Sequence, residues 1–310
     1  MNRRIFLSRL GNSMLALPLV GALTGTKLQP QFKSMIIDAD TANEIDDLYA
    51  ITRALLEPGF RIHALSSAQW KHHLSPENTV WESQKINEDI LRLLDRQDIP
   101  SPLGADMIVG KPWGGSEPSN SPAAQFIIQS AKKTKPGEKL TVVSLGALTN
   151  IASAILLAPE IIPKVDCYCL SGKYFANRKV WDKDEFNARR DLNALNTAFN
   201  TDGLDLHVMP VNILYEFRFR QEEVLEKLAG KGGIWDYLAA RWLSHSPQNM
   251  EWIMWDLALI EALAHPEFTK QEEVLTPPEN IQRKIHVYTS IDRDAMLKDW
   301  WETVEKEFDR

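Results

Sequence analysis

A short apolar run that ends in a burst of acid constrains this chain more than any other segment. Residues 34–38 read Ser-Met-Ile-Ile-Asp, and the ten positions 38–47 carry six acidic or amide side chains: Asp38, Asp40, Asn43, Glu44, Asp46 and Asp47. The apolar run reads as a buried strand feeding a loop. Helical spacing then holds over residues 46–57, with Leu48, Ile51, Leu55 and Leu56 on one face. Asp46 and Asp47 fall in its first turn, where the helix dipole favours negative charge, and Pro58-Gly59 ends it. This much carboxylate at one strand end is costly unless a cation neutralises it. Hard oxygen donors at such density suit calcium or magnesium. An EF-hand loop fits poorly, because Ala42 stands where an oxygen ligand is needed and the turn glycine is missing. A solvated, helix-capping acid run is the competing reading.

The rest of the chain repeats the strand-then-helix pattern. Strands are predicted at residues 60–67, 140–144, 165–170, 206–211 and 284–288. Helices are predicted at 76–94, 123–131, 149–157, 191–199, 222–228, 235–243 and 255–263, with a charged helix at the C-terminus. Residues 100–122 form a Gly/Pro-rich loop and 172–184 a long polar loop. The alternation implies an α/β fold: a single domain, a largely parallel central sheet and helices on both faces. Ligands in such folds bind beyond the carboxyl ends of the strands. Asp40, Leu145-Gly146 and the loop after Leu170 all fall there.

A chain of 310 residues is ample for one large core. Its net charge of −7 and scattered Lys and Arg argue against nucleic-acid binding. Cys167 and Cys169 alternate on a strand, too far apart for easy bridging, and read as small buried hydrophobes. Residues 1–30 read as an export leader rather than fold: Arg3-Arg4 gives a twin-arginine start, and an apolar stretch from Met14 to Leu23 is too short to span a bilayer. That implies export, to the periplasm of a bacterium, with no stable membrane insertion after removal; an uncleaved anchor is the alternative. The catalytic domain is then residues 34–310.

Four segments in order resemble the nucleoside hydrolase family. Residues 38–51 are similar to its opening Asp-x-Asp-x-Gly-(x)n-Asp-Asp motif, with a longer loop and Ala42 in place of the glycine. Val142-Val-Ser-Leu145-Gly-Ala-Leu-Thr-Asn150 resembles the second signature, Glu185-Phe-Asn187-Ala-Arg-Arg-Asp191 the third, and Met254-Trp255-Asp256 the fourth. Asp38-Ala-Asp40-Thr41 also has a superficial likeness to haloacid dehalogenase phosphatases, but Thr41 comes one residue too early.

The resemblance implies a nucleoside hydrolase (inosine- or uridine-preferring) with a Ca²⁺ ion held by Asp40, Asp47, Asp256 and the Leu145 carbonyl. Asp40 is then the general base. Asp46, Asn43, Glu185, Asn187 and the loosely spaced Asn177 are its substrate-side residues, the carboxylate and amide supplying acceptors and donors for ribose. Trp255 and Trp113 are placed to stack on the base, which leans the substrate toward purine nucleosides; core packing is the alternative for both. Trp70 stands where the family has an asparagine, and His72 and His73 follow it. The implied reaction is hydrolysis of an N-glycosidic bond of a small nucleoside, by a chain of a family that is often oligomeric. A phosphatase and a non-catalytic exported nucleoside- or sugar-binding protein remain open at this point.

Overall fold

The computed structural model describes residues 32–308; the export leader expected at residues 1–30 lies outside them. β1 (Lys33–Ala39) leads into α1 (Asp46–Leu56), and β2 (Phe60–Ser67) into α2 (Thr79–Leu93). α3 (Pro122–Lys132), β3 (Leu140–Ser144), α4 (Thr149–Leu157) and β4 (Val165–Leu170) follow. Next come β5 (Lys173–Phe175), β6 (Val180–Asp182), α5 (Phe186–Arg190), α6 (Leu192–Asn200) and β7 (Asp205–Met209). The chain continues through β8 (Arg218–Arg220), α7 (Gln221–Leu228), α8 (Gly233–His245), β9 (Glu251–Ile253) and α9 (Trp255–Ala264). It ends with β10 (Thr269–Leu275), β11 (Lys284–Ile291) and α10 (Arg293–Phe308).

Seven strands form the central sheet in the order β10-β11-β7-β4-β3-β1-β2. All neighbours are parallel except β10 against β11. The apolar strands bury both faces, as parallel sheets must. On β1, Met35 and Ile37 join the core beneath α1, α8, α9 and α10, whereas Ile36 joins the core beneath α3, α4 and α6. Cys167 and Cys169 are free thiols buried in the second core, as the strand alternation predicts.

The strand order fixes where a ligand can enter. From β1 the chain crosses to β2 on one side, then returns to β3 on the other. The carboxyl ends of β1 and β3 therefore diverge at a topological switch point. Asp40 and Leu145 sit there, one residue beyond each strand.

The departures from the sequence reading have local causes. Residues 172–184 hold the antiparallel β5–β6 hairpin rather than a loop; its three-residue strands are too short to show a period. β8 and β9 pair across about thirty intervening residues, which no local pattern reveals. β10 is an edge strand of largely exposed residues, including Lys270, Glu272 and Glu273, so it lacks the apolar signature of a buried strand. The outer edge of β2, in contrast, is covered: Leu65 N–H donates to Pro100 O, and Gly104 N–H to Ser67 Oγ.

One buried ion cluster ties α1, α9 and α10 together. Arg53 donates to Glu261 Oε1 at 3.1 Å, Glu57 Oε2 at 2.8 Å and Asp299 Oδ2 at 2.7 Å, and the Arg53 and Glu261 side chains are 1% and 0% exposed. Removing one partner of a buried pair leaves an uncompensated charge, at about 3–5 kcal/mol. Arg53→Ala should therefore lower unfolding stability by roughly that amount in urea titrations, and an unchanged midpoint would show that the cluster contributes nothing.

Candidate functional site

Two helix N-termini and two strand ends meet over the carboxyl edge of the sheet. α1 presents Asp46 and Asp47 in its first turn, and α9, packed against it, presents Asp256. Asp256 N–H donates to Asp46 Oδ2 at 3.1 Å, locking the two helix starts together. Both dipoles point positive charge at this spot. One carboxylate oxygen from each of Asp46, Asp47 and Asp256 lies within 4.8 Å of the others. Asp40, from the end of β1, completes the acidic wall.

The loop between β1 and α1 is held from outside. Thr41 Oγ1 lies 3.0 Å from both Ser83 O and Asn87 Oδ1 on α2, and Arg241 of α8 donates to Ala42 O at 3.1 Å. Ala42 is not among the residues with positive φ. This longer loop therefore has no need of the glycine that the motif leads one to expect. Gly146 is different: a Cβ there would come within 2.8 Å of Asp40 Oδ1 and 2.9 Å of its Cγ. Only glycine lets the turn after β3 lie against the Asp40 carboxylate.

The electrostatics are those of charge without a counter-charge. Asp40, Asp46, Asp47 and Asp256 are all buried. Burial is the largest cause pushing each of them above the usual carboxylate range, and repulsion from neighbouring carboxylates, Glu44 among them, adds to it. Asp46 and Asp47 are both pushed up to about 7. Asp40 Oδ2, Asp47 Oδ1 and Asp256 Oδ1 have no hydrogen-bond partner in the protein. Three orphaned carboxylate oxygens in one buried cluster fit a hard divalent cation, which prefers such donors. Asp38 stays out of the cavity. Its Oδ1 accepts from Ser66 Oγ at 2.6 Å and Asn150 Nδ2 at 2.9 Å, and burial raises its carboxyl to about 6.

A cavity of about 250 Å³ opens onto this wall. Asp40, Asn43, Asp46, Asp47, Leu145, Glu185, Asn187, Trp255 and Asp256 all line it, so nine of the sequence-predicted site residues are brought together. Glu185 caps the five-residue α5, its carboxylate accepting from the Asn187, Ala188 and Gly172 amides at 2.9, 3.0 and 3.1 Å. Asn187 Nδ2 donates to Leu145 O at 2.7 Å and Leu170 O at 3.1 Å. Its Oδ1 is left as an acceptor, and the Leu145 carbonyl keeps a second lone pair. Trp255 meets Tyr215 edge to face at 5.7 Å.

Two predicted residues are not in the cavity lining. Asn177 is exposed in the turn of the β5–β6 hairpin, and Trp113 is 85% exposed. Trp70 is buried and also outside the lining; His72 meets Trp70 at 6.0 Å and the lining residue Phe186, edge to face, at 6.1 Å between ring centroids. Glu44, Leu170, Lys173, Phe186, Val211 and Tyr215 also line the cavity without being predicted as site residues. Phe186 lay inside the Glu185-Phe-Asn187 motif and was legible. Lys173 and Tyr215 sit on a short strand and after a short turn, where the sequence gives no periodic signal.

Comparison with known proteins bears on the family and the fold. The curated relatives include a probable uridine nucleosidase 2 of Oryza sativa subsp. japonica, 27% identical over 80% of this chain and 78% of that protein. A probable uridine nucleosidase 2 of Arabidopsis thaliana is 29% identical over 66% of this chain and 67% of that protein. Among solved structures, a plant nucleoside hydrolase shares the fold with a TM-score of 0.69 at 20% identity, covering 89% of this chain and 99% of that one. A purine-preferring ribonucleoside hydrolase from Gardnerella vaginalis does so at 0.64 and 19%, covering 89% and 99%. The family model described as inosine-uridine preferring nucleoside hydrolase matches residues 35–308, and the chain belongs to that family.

Proposed function

We propose that this chain hydrolyses the N-glycosidic bond of ribonucleosides to free base and ribose, with Ca²⁺ as its metal. The observation that carries the reading is the set of orphaned oxygens on Asp40, Asp47 and Asp256, set in a cavity that also holds Asn187, Glu185 and an aromatic pair. Asp40, Asp47, Asp256 and the free lone pair of the Leu145 carbonyl would hold the ion. When bound, it supplies a positive charge that lowers the pKa of a coordinated water.

The chain's own residues account for the remaining work. Asp46 and Asn187 Oδ1 are acceptors facing the cavity and orient the ribose hydroxyls; Asn43 and Glu185 line the same region. Asp40 takes the proton from the attacking water. As the C–N bond breaks, positive charge develops on the sugar, and the acidic wall stabilises it. Trp255, with Tyr215 at its edge, gives the base a stacking surface worth ~1–3 kcal/mol. The purine lean drawn from Trp255 has no counterpart in the curated relatives quoted above, which are named as uridine nucleosidases. The test is a reducing-sugar assay over inosine, guanosine, uridine and cytidine, with Asp40→Asn and Trp255→Ala beside the parent chain. Ribose release should fall at least ~10²-fold in Asp40→Asn. Trp255→Ala should lose more on purine than on pyrimidine nucleosides. Ligand binding without ribose release from any nucleoside would replace the enzyme with a binding protein.

The raised carboxyls also fix the sign of a pH effect. Burial, with repulsion from neighbouring carboxylates, raises the Asp46 and Asp47 carboxyls of the folded state from their ordinary 3.8 to about 7. Between these values the folded state binds more protons than the unfolded one, so metal-free stability falls as pH rises. The melting temperature without divalent ions should drop from pH 5 to pH 8, and millimolar Ca²⁺ should restore it most at pH 8. A metal-free protein that gains stability over this range would contradict the assignment.

The Arg3-Arg4 leader supports export as a further part of this proposal. Expression of the full chain with fractionation should place the enzyme in the periplasm, and Arg3→Lys/Arg4→Lys should retain it inside the cell.

A further inference from the structure

The opposite end of the sheet carries a second convergence of ligand-type side chains. Asp205 opens β7, and His207 follows on the same face, as the two-residue period of a strand requires. β11 runs parallel beside β7 and sets His286 directly against His207, and β4 sets Tyr168 on its other side. The rings stack as a ladder, Tyr168 on His207 at 4.1 Å and His207 on His286 at 4.5 Å between centroids. Both imidazoles turn Nε2 toward Asp205 Oδ1, at 3.0 Å from His207 and 3.7 Å from His286. Lys139 Nζ holds the other oxygen, Oδ2, at 2.7 Å and reaches Asp166 at 2.8 Å. The Asp205 carboxylate is thereby pinned with Oδ1 facing the rings.

Gln271 adds a further polar group, with Oε1 3.0 Å from His207 Nδ1. With the ring in the tautomer that carries its proton on Nδ1, Gln271 accepts that proton and the Nε2 lone pair is free for a cation beside Asp205 Oδ1. Gln271 is then the outer hydrogen-bond partner that orients the ring.

We propose that Asp205, His207 and His286 form a second metal site, taking a divalent transition ion of the zinc, nickel or copper class. Two imidazole nitrogens and one carboxylate oxygen select such an ion over calcium. Their ligand atoms all lie within 4.8 Å of one another, so modest side-chain adjustment brings each to a bond of about 2.0–2.2 Å. The site occupies the amino ends of β7 and β11, whereas the cavity occupies carboxyl ends. No residue is shared, and the inference stands apart from the hydrolase reading.

The experiment adds Cu²⁺ and Zn²⁺ separately to the full-length protein in excess Ca²⁺, which occupies the carboxylate cluster. One equivalent of Cu²⁺ should give an electron paramagnetic resonance spectrum with hyperfine coupling to two imidazole nitrogens. His286→Gln should lose one of them, and Asp205→Asn should weaken binding about tenfold or more. Zn²⁺ at a hundred times its Kd should raise the melting temperature by roughly 5 °C in the parent chain and not in His286→Gln, while nucleoside turnover is the same in both. If His286→Gln does not fold, Asp205→Asn, whose binding is read in the same way, decides the matter. The proposal is overturned if Zn²⁺ gives no shift, or if the copper signal survives in His286→Gln and vanishes in His72→Gln/His73→Gln.

Discussion

Four aspartates buried at one point repel each other, and much of the surrounding structure can be understood as what holds them there. Asp46, Asp47 and Asp256 sit on the first turns of two packed helices, where the dipoles offset part of the repulsion. Asp40 is fixed by the end of β1 and by the glycine that lets the next strand's turn lie against it. Arg53, two turns along α1 from Asp46, binds α1 to α9 and α10 through Glu261 and Asp299. The helix starts thus cannot part to relieve the repulsion. A site preorganised for a divalent cation is the consequence of this confinement.

The fold was legible where periodicity is strong. Residues 60–67, 140–144 and 165–170 were predicted as strands, and β2, β3 and β4 occupy those positions. Each is buried on both sides over most of its length, and an apolar run of that length has few other uses. β5, β6, β8 and β9 were not legible, because three-residue strands carry no period and their pairing is set by tertiary packing. The acidic wall was legible because the four aspartates are carried by two short motifs, one at each helix start.

The substrate side was harder. Glu185 and Asn187 reach the cavity, yet each also has a structural task that the sequence did not show: Glu185 caps α5, and Asn187 bridges two strand-end carbonyls. Asn177 rests on a loosely spaced match and Trp113 on its place in a Gly/Pro-rich loop, and neither signal tells a loop tip from a cavity wall. Tyr215 was missed for the converse reason, since it reaches Trp255 from a segment without a motif.

The two edges of the sheet differ in a way that bears on the protein's life in solution. The β2 edge is sealed by residues 100–104, whereas among the described residues no further strand pairs with the outer side of β10. An unpaired edge invites a strand from another molecule, and at high concentration that leads to fibre-like association. Lys270, Glu272 and Glu273 line this edge with exposed charge. A strand arriving from a second copy would have to desolvate those charges, so the row that hid β10 from a periodicity reading also protects the chain from polymerising.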